Sequence, residues 1–245
     1  MTGAMRLLVP VSELLEVPPD RVLAVYAHPD DPDISCGGTL AKWARAGSEV
    51  HVVICAAGDK GSPDPNADRR TVIERRADEA RQAAATLGLA GVFLLARGDG
   101  EFENDLALRA ELVRLMRCHR PDIVVCPDPT AVFFGAHHYN HRDHRIVGWA
   151  ALDSAAPASG SSLYFPESGP AHQIPVALLS GSLEANVWVD IETTIDQKLR
   201  AVACHETQLT DANDWFASAL RDGAQHAGRQ AGVSYAEAFR RVLLV

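Results

Sequence analysis

The stretch Val22-Leu-Ala-Val-Tyr-Ala-His-Pro-Asp-Asp31 joins a short apolar run to a polar turn. The run is continuous rather than alternating, which is typical of a strand that is buried on both faces. Pro29 restricts its own backbone and that of His28, so the turn after the strand is stiff. The strand therefore ends abruptly, and one imidazole and two carboxylates follow it directly.

Strands and helices alternate on the C-terminal side of this stretch. Apolar runs predict further strands at 49–56, 92–95 and 122–126, and amphipathic patterns predict helices at 38–46, 71–87 and 106–119. Continuous apolar strands separated by helices indicate a parallel sheet that is covered on both faces. We therefore expect an α/β fold, Rossmann-like and doubly wound, with a mostly parallel sheet and helices on both faces.

The pattern is weaker after residue 150. Alternating apolar residues predict a strand at 187–191, and a helix is expected at 194–205. The segment 234–242 is amphipathic, and Ser234 followed by Glu237 matches a capping box. We therefore expect this segment to be a helix as well.

A length of 245 residues fits one large α/β domain. Two loop stretches, 58–69 and the Pro/Gly/Ser-rich 157–181, are expected to be the most variable and to determine substrate choice. We expect a single domain over residues 1–245, with an N-terminal extension at 1–20, an α/β core at 21–150 and a variable lid with C-terminal elements at 151–245.

Composition argues against several classes of protein. The chain is 47% hydrophobic, which is enough to bury a core, and 23 Lys and Arg against 32 Asp and Glu give a net charge of −9. An acidic surface argues against binding to nucleic acid or to anionic lipid. No apolar run reaches the roughly 18 to 20 residues of a membrane span, and residues 1–20 carry acids where a signal peptide carries bases. We expect a cytoplasmic protein without a membrane span.

Histidine is the residue type that stands out. The five cysteines form no Cys-x-x-Cys pair, which excludes a Cys-rich structural zinc site and leaves histidine and carboxylate as the metal ligands to consider. Four of the ten histidines lie in the single stretch 133–144. The histidines are therefore gathered rather than scattered.

In doubly wound sheets, ligands bind beyond the carboxyl ends of the strands. This rule selects residues 28–33, 57–68 and 127–144, where His141 and His144 are three positions apart and share a face if the backbone is helical. Two imidazole nitrogens and one carboxylate oxygen with an open fourth position are typical of a catalytic zinc site. Each motif alone has an ordinary explanation, since Asp-Asp often caps a helix and loop histidines are often exposed. Their combination favours a metal site.

Three motifs in this order resemble those of the LmbE/PIG-L family of metal-dependent N-deacetylases. They are Tyr26-Ala-His-Pro-Asp-Asp31, Cys36-Gly-Gly-Thr-Leu40 and Asn140-His-Arg-Asp-His-Arg145. The similarity runs without gaps from about 22 to 47, returns more loosely at Arg76, is sharp again over 140–148 and extends faintly to His205. The family includes the deacetylase of glycosylphosphatidylinositol synthesis and enzymes that deacetylate glucosaminides in the mycothiol and bacillithiol pathways.

By matching position, the resemblance implies that His28, Asp31 and His144 bind Zn²⁺, or another divalent transition metal such as Fe²⁺. Asp30 would be the general base that takes a proton from the attacking water. His141 would stabilise the tetrahedral oxyanion or protonate the leaving amine. Amide hydrolysis needs these same functions: a nucleophile, a stabiliser of the oxyanion and a proton for the departing nitrogen.

Further residues are implied as substrate-binding or supporting groups, and each has an alternative. Asp143 would orient His141 or a metal ligand, unless it is an exposed loop carboxylate. Arg76 would contact substrate hydroxyls or phosphate, unless it is a surface charge on its helix. His205 would reach its own or a neighbouring subunit's site, unless it is a solvated residue at a helix end. Pro32-Asp33 replaces the Glu that commonly follows in the family, and Asp33 is expected to cap the helix through Gly37-Gly38.

The resulting prediction is a zinc-dependent hydrolase that removes an N-acyl group, expected to be acetyl, from an amino sugar such as an N-acetylglucosamine conjugate. The expected partner is a small amidated amino-sugar substrate, and a homo-oligomer is compatible with the pattern. One alternative is an amidase of the same family that acts on a thiol conjugate or a natural-product intermediate. Another is a non-catalytic nucleotide-binding α/β module, although a Gly-rich phosphate loop is missing after the first strand.

Overall fold

A mostly parallel sheet with helices on both faces organises the chain, and the computed structural model describes residues 13–136, 138–209 and 213–244. The strands are β1 (Glu13–Leu14), β2 (Arg21–Tyr26), β3 (Glu49–Ala56), β4 (Gly91–Arg97), β5 (Ile123–Pro127), β6 (Phe133–Phe134), β7 (His138–Tyr139), β8 (Val176–Ser180), β9 (Val187–Asp190) and β10 (Ala236–Leu243). The helices are α1 (Asp31–Arg45), α2 (Arg69–Leu87), α3 (Leu106–His119), α4 (Arg142–Asp153), α5 (Ile195–Val202) and α6 (Asn213–Ala231). The first twelve residues of the expected N-terminal extension lie outside the described residues, and the division at 20 and 150 stays a prediction.

The main sheet has eight strands in the order β1-β9-β10-β8-β5-β2-β3-β4. Strands β4, β3, β2, β5 and β8 are all parallel, whereas β10 is antiparallel to both of its neighbours. Strands β6 and β7 form a separate small hairpin. The predicted α/β class with a mostly parallel sheet is confirmed. No helix among the described residues is long and apolar enough to cross a membrane.

Successive residues of β2 enter two different cores. Leu23 and Val25 pack with residues of α3 and α4, such as Leu112, on one face of the sheet. Val22 and Ala24 pack with residues of α1, such as Trp43, on the other face. Because both faces are buried, the strand needs apolar residues at every position, as the continuous run predicted.

The predicted helices are close to the observed ones, with one informative difference. Helix α3 spans 106–119 as expected, and α2 starts two residues early because the Asp68 side chain accepts a hydrogen bond from the Thr71 amide. Helix α1 begins at Asp31 rather than at 38, and a kink at Cys36, with φ −146° and ψ 18°, separates its first turn from the rest. Helix α1 thus begins with Asp31, the last residue of the polar turn after β2.

The segment predicted as a C-terminal helix is the strand β10, and the prediction was wrong. It pairs with β8 on one side and with β9 on the other. The Glu237 carboxylate caps no helix of its own; it accepts hydrogen bonds from the amides of Gly38 and Thr39, at 3.1 and 2.7 Å, and from Lys198 Nζ at 2.6 Å. A local amphipathic pattern cannot reveal that the edges of β8 and β9, which are distant in the sequence, can both pair with this segment.

The stretch 157–181, which was predicted to be a variable loop, is attached to the rest of the fold at both α3 and the central sheet. It ends in β8, which lies beside β5 in the centre of the sheet. Arg117 on α3 is buried and its guanidinium donates hydrogen bonds to six backbone carbonyl groups, those of Ala158, Ser159, Ser161, Tyr164, Phe165 and Gly169. The part of the stretch before β8 is therefore fastened to α3.

Candidate active site

Three histidines meet at the carboxyl end of the sheet. His28 follows β2, while His141 and His144 lie at the start of α4, after β5. The ring centroids are 4.8 Å apart for His28 and His141, 5.3 Å for His28 and His144, and 5.5 Å for His141 and His144. One nitrogen from each ring lies within 4.8 Å of the others, so the group could hold a metal ion.

The Asp31 carboxylate lies between two of these rings. Its Oδ1 is 3.1 Å from His144 Nε2, and its Oδ2 is 3.2 Å from His28 Nδ1. Oδ2 also accepts a hydrogen bond of 2.7 Å from the His28 backbone amide. Burial acts to raise the pKa of Asp31, but the two imidazoles outweigh it and hold the pKa of that carboxyl well below its usual range. Asp31 is therefore anionic and directed at both rings.

Carboxylates also surround the far side of the His28 ring. His28 Nε2 lies 3.4 Å from Asp99 and 3.4 Å from Asp143, and this buried atom has no hydrogen-bond partner in the part of the chain that the structure describes. Burial alone would lower the pKa of His28, yet Asp31, Asp143 and Asp99 together raise it to about 12. The three carboxylates around His28 therefore stabilise a positive charge at the centre of the site.

Asp143 is completely buried, so the alternative of an exposed loop carboxylate was wrong. Its Oδ2 accepts a hydrogen bond of 2.7 Å from the Gly100 amide and faces His28, not the imidazole of His141. Its backbone amide donates to His141 Nδ1 across 3.2 Å, because His141 is the N-cap residue of α4. Asp143 thus joins α4 to the loop after β4.

Asp99 is a residue of the site that the sequence reasoning missed. It follows β4 in the turn Gly98-Asp-Gly-Glu101, and its backbone amide donates to Asp59 across 2.9 Å. The positional rule that singled out the loops after β2, β3 and β5 applies equally to the loop after β4. The same rule could therefore have identified Asp99, but the loop contains no histidine and was not considered.

Arg76 lies in the site and not on the surface. It is 2% exposed, its Nη2 donates to Asp30 Oδ1 across 2.8 Å, and its Nη1 donates to the carbonyl of Gly58 across 3.1 Å. A Cβ at Gly58 or at Gly61 would collide with the guanidinium. The loop after β3 therefore needs glycine at both positions to make room for this side chain.

His205 is also buried, at 1% exposure, so the alternative of a solvated residue at a helix end was wrong. Its Nε2 lies 2.7 Å from Asp33 Oδ2, and it lines a cavity of about 250 Å³ together with Asp30. Asp33 is consequently not the expected cap of α1, and the Gly38 amide is bound by Glu237 instead. The residue in place of the usual Glu holds a histidine from the C-terminal half of the chain.

Asn140 orients the ring of His144. Its Oδ1 lies 3.1 Å from His144 Nδ1, and its Nδ2 donates to the carbonyl of Ala131 across 2.7 Å. The donor side of the amide is thus fixed, which leaves the oxygen to accept the Nδ1 proton. His144 then presents Nε2 to Asp31 and to a cavity of about 290 Å³.

Comparison with known proteins places this site in a family. The model of the family described as PIG-L, GlcNAc-PI de-N-acetylase, matches residues 23–155, more than half of the chain. This chain belongs to the PIG-L family. The predicted resemblance to that family is confirmed, and the matched range contains every site residue described above except His205.

The relatives of this PIG-L family member include several deacetylases. The diacetylchitobiose deacetylase of Thermococcus kodakarensis is 31% identical over 91% of this chain and 83% of its own length. A 1D-myo-inositol 2-acetamido-2-deoxy-alpha-D-glucopyranoside deacetylase of Rhodococcus jostii is 26% identical over 78% of this chain and 82% of its own. Among solved structures, the N,N'-diacetylchitobiose deacetylase of Pyrococcus horikoshii superposes with a TM-score of 0.83 at 29% identity, and the match covers 91% of this chain and 84% of that chain. The prediction of a hydrolytic N-deacetylase is confirmed.

Proposed function

We propose that this PIG-L family member removes the acetyl group of an N-acetylated amino sugar, with one divalent metal ion held by His28, Asp31 and His144. The observation that carries the proposal is the position of Asp31, which contacts the rings of His28 and His144 from two separate motifs at the carboxyl end of the sheet. The activities of the relatives on diacetylchitobiose and on an acetamido-glucopyranoside support the class of substrate.

The residues fit a metal ion of the zinc class. Two imidazoles and one carboxylate suit zinc, and such sites leave a further coordination position open for the reaction. Asp31 lies between His28 Nδ1 and His144 Nε2, and an ion held by these groups would supply positive charge to the surrounding carboxylates in place of the proton on His28. A zinc ion held there would supply Lewis-acid chemistry: it would polarise the amide carbonyl and lower the pKa of water to near neutral.

Asp30 is proposed as the base. Its Oδ1 is occupied by the hydrogen bond from Arg76, and among the described residues its Oδ2 has no hydrogen-bond partner. Oδ2 is thus the atom that takes a proton from the attacking water. When the carbon–nitrogen bond breaks, the same proton passes from Asp30 to the departing amine, so the carboxylate is restored at the end of the turnover.

His141 is proposed to stabilise the oxyanion rather than to protonate the amine. Burial lowers its pKa, the charge of His28 lowers it further, and the opposing effect of Asp143 is smaller, so the ring is neutral at pH 7. Because Nδ1 accepts a hydrogen bond from the Asp143 backbone amide, the single ring proton is on Nε2. A neutral imidazole with a fixed Nε2 proton is a hydrogen-bond donor suited to a developing oxyanion.

The substrate class is tested by assaying the metal-loaded protein on N,N'-diacetylchitobiose, N-acetylglucosaminyl-inositol and N-acylated thiol conjugates. The proposal expects acetate and free amine in equal amounts from at least one glucosaminide. Turnover of a thiol conjugate alone would favour the amidase alternative, and inactivity on every glucosaminide would refute the preferred substrate. A cytoplasmic location, a homo-oligomeric state and the lack of nucleic-acid binding stay predictions.

A further inference from the structure

A second group of metal-ligating side chains lies at the opposite end of the sheet. Glu49 and His51 belong to the start of β3, and His119 is the last residue of α3. A strand rises about 3.3 Å per residue, so His51 is roughly 20 Å from the loop that follows β3 at the proposed catalytic centre. The group is therefore separate from that centre.

The three side chains converge closely. His51 Nδ1 lies 3.7 Å from Glu49 Oε1, and the rings of His51 and His119 have their centroids 4.2 Å apart. One ligand atom from each residue lies within 4.8 Å of the others. His51 is 8% exposed, His119 is half-buried and Glu49 is exposed, so an ion could enter from solvent.

The position of the His51 ring is determined by the strand beside it. His51 pairs with Gly91, the first residue of β4, and a Cβ at Gly91 would lie 3.1 Å from His51 Cδ2 and 3.5 Å from its Nε2. The missing side chain lets the ring lie against the β4 backbone with Nδ1 on the side of Glu49. Phe93 closes the apolar side of the group, with ring centroids 5.6 Å from His51 and 5.0 Å from His119.

The chemistry of the group suits a cation. The two imidazoles offer ring nitrogens and Glu49 offers a carboxylate oxygen, and these are ligand types that bind transition-metal ions. Neither the imidazole of His51 nor that of His119 forms a hydrogen bond within residues 13–136, 138–209 and 213–244, and the ring of His51 has only the longer contact with Glu49. The carbonyl groups at the end of α3 add negative potential at the same place.

We propose that Glu49, His51 and His119 form a second metal site, which binds Zn²⁺ or a similar transition-metal ion and links the start of β3 to the end of α3. Two imidazoles and one carboxylate favour such ions over Ca²⁺ and Mg²⁺, which require oxygen ligands. Water would complete the coordination on the exposed side. The opposing possibility is an aromatic cluster of His51, Phe93 and His119 that serves packing alone.

The test is equilibrium dialysis of the metal-stripped full-length chain against Zn²⁺. A His144→Ala background removes a ligand of the proposed catalytic centre, so the ion that remains reports on the second site alone. We expect one equivalent of zinc in His144→Ala and none in His144→Ala/His119→Ala. The matched control is His226→Ala in the same background, because His226 is an exposed histidine on α6. This variant should still bind one equivalent of zinc.

A second measurement keeps the test independent of folding defects. Glu49 is exposed, so Glu49→Gln should keep the fold by circular dichroism while it weakens zinc binding in the His144→Ala background. Zinc, but not Mg²⁺, should raise the Tm of His144→Ala and leave that of the double variant unchanged. Equal zinc stoichiometry with and without His119, or no zinc bound to the folded His144→Ala protein, would overturn the second site without affecting the proposed deacetylase mechanism.

Discussion

The Arg76 guanidinium donates a hydrogen bond of 2.8 Å to the Asp30 carboxylate, although the two residues are 46 positions apart in the chain. Arg76 is in turn held by the Gly58 carbonyl, so the loop after β3 and helix α2 both contribute to the position of Asp30. The base proposed for the reaction is therefore oriented by elements outside its own motif.

Arg76→Lys should lower kcat by roughly 10-fold to 100-fold while it changes KM less. The donors of lysine lie on a single nitrogen, which cannot replace the separate Nη1 and Nη2 atoms that reach Gly58 and Asp30, so one of these contacts would be lost. Steady-state kinetics check this, with Arg75→Lys as control because Arg75 is the exposed neighbour on the same helix. A raised KM with unchanged kcat would indicate that Arg76 binds substrate and does not position the base.

Asp30→Asn should keep the metal ion and lose activity by about 100-fold to 10,000-fold, because the variant lacks a base but keeps the side-chain shape. Asp31→Asn should lose metal affinity as well, since Asp31 faces both His28 and His144. Metal content and kcat are measured on the same preparations. Loss of the ion from Asp30→Asn but not from Asp31→Asn would reverse the two assignments.

Asn140→Leu should weaken metal binding by roughly 10-fold to 100-fold, because the Nδ1 proton of His144 loses its acceptor. Asn140→Asp keeps an acceptor and should restore most of the affinity, although it loses the donation to the Ala131 carbonyl. Competition with a metal chelator gives the affinities. If both variants bind metal equally poorly, the contact with Ala131 and the local fold matter more than the orientation of His144.

Metal binding should release about one proton at pH 7. The raised pKa of His28 means that the metal-free protein holds a proton there throughout the neutral range, and an incoming ion must displace it. The sign follows: affinity rises with pH as long as the pH is below the pKa of His28. Calorimetric titration of zinc into His119→Ala, in buffers of different ionisation enthalpy, measures the proton count. A binding enthalpy that is the same in all buffers would contradict it.

Glu237→Gln should destabilise the fold by about 3–5 kcal/mol, because it leaves the buried Lys198 ammonium without its partner. Glutamine keeps one acceptor oxygen, so it can retain only one of the hydrogen bonds that Gly38 and Thr39 donate to separate oxygens, and its NH2 group would face the other donor. Adding Lys198→Met should recover part of the stability in chemical denaturation. Asp196→Ala breaks an exposed ion pair with Arg221 and should have little effect. No recovery in the double variant would show that the ion pair is not the source of the loss.

What the sequence could reveal depended on whether the information was local. The continuous run 22–27 and the histidine-rich stretch 133–144 indicated a buried parallel sheet and the segments that meet at its carboxyl end, because both patterns lie within a few residues. The burial of Arg76 and His205 was not visible, since each depends on a partner, Asp30 or Asp33, that is distant in the chain. Asp99 was missed because one carboxylate in a turn carries no pattern of its own.

The failure at 234–242 has the same origin. Its amphipathic pattern and the capping-box pair Ser234 and Glu237 fit a helix, but pairing with the edges of β8 and β9 decides its structure. Strand pairing with two neighbours satisfies the backbone as fully as a helix would and also brings Glu237 to α1. Tertiary pairing overrode a local preference, as it commonly does in sheets.

The place of β10 also determines when this protein can finish folding during synthesis. β10 is synthesised after both β8 and β9, yet it lies between them in the sheet. Until the ribosome has released it, the nascent chain carries unpaired strand edges, which attract the edges of other chains. Translation that stops before residue 236 would therefore leave an aggregation-prone polypeptide rather than a shortened enzyme.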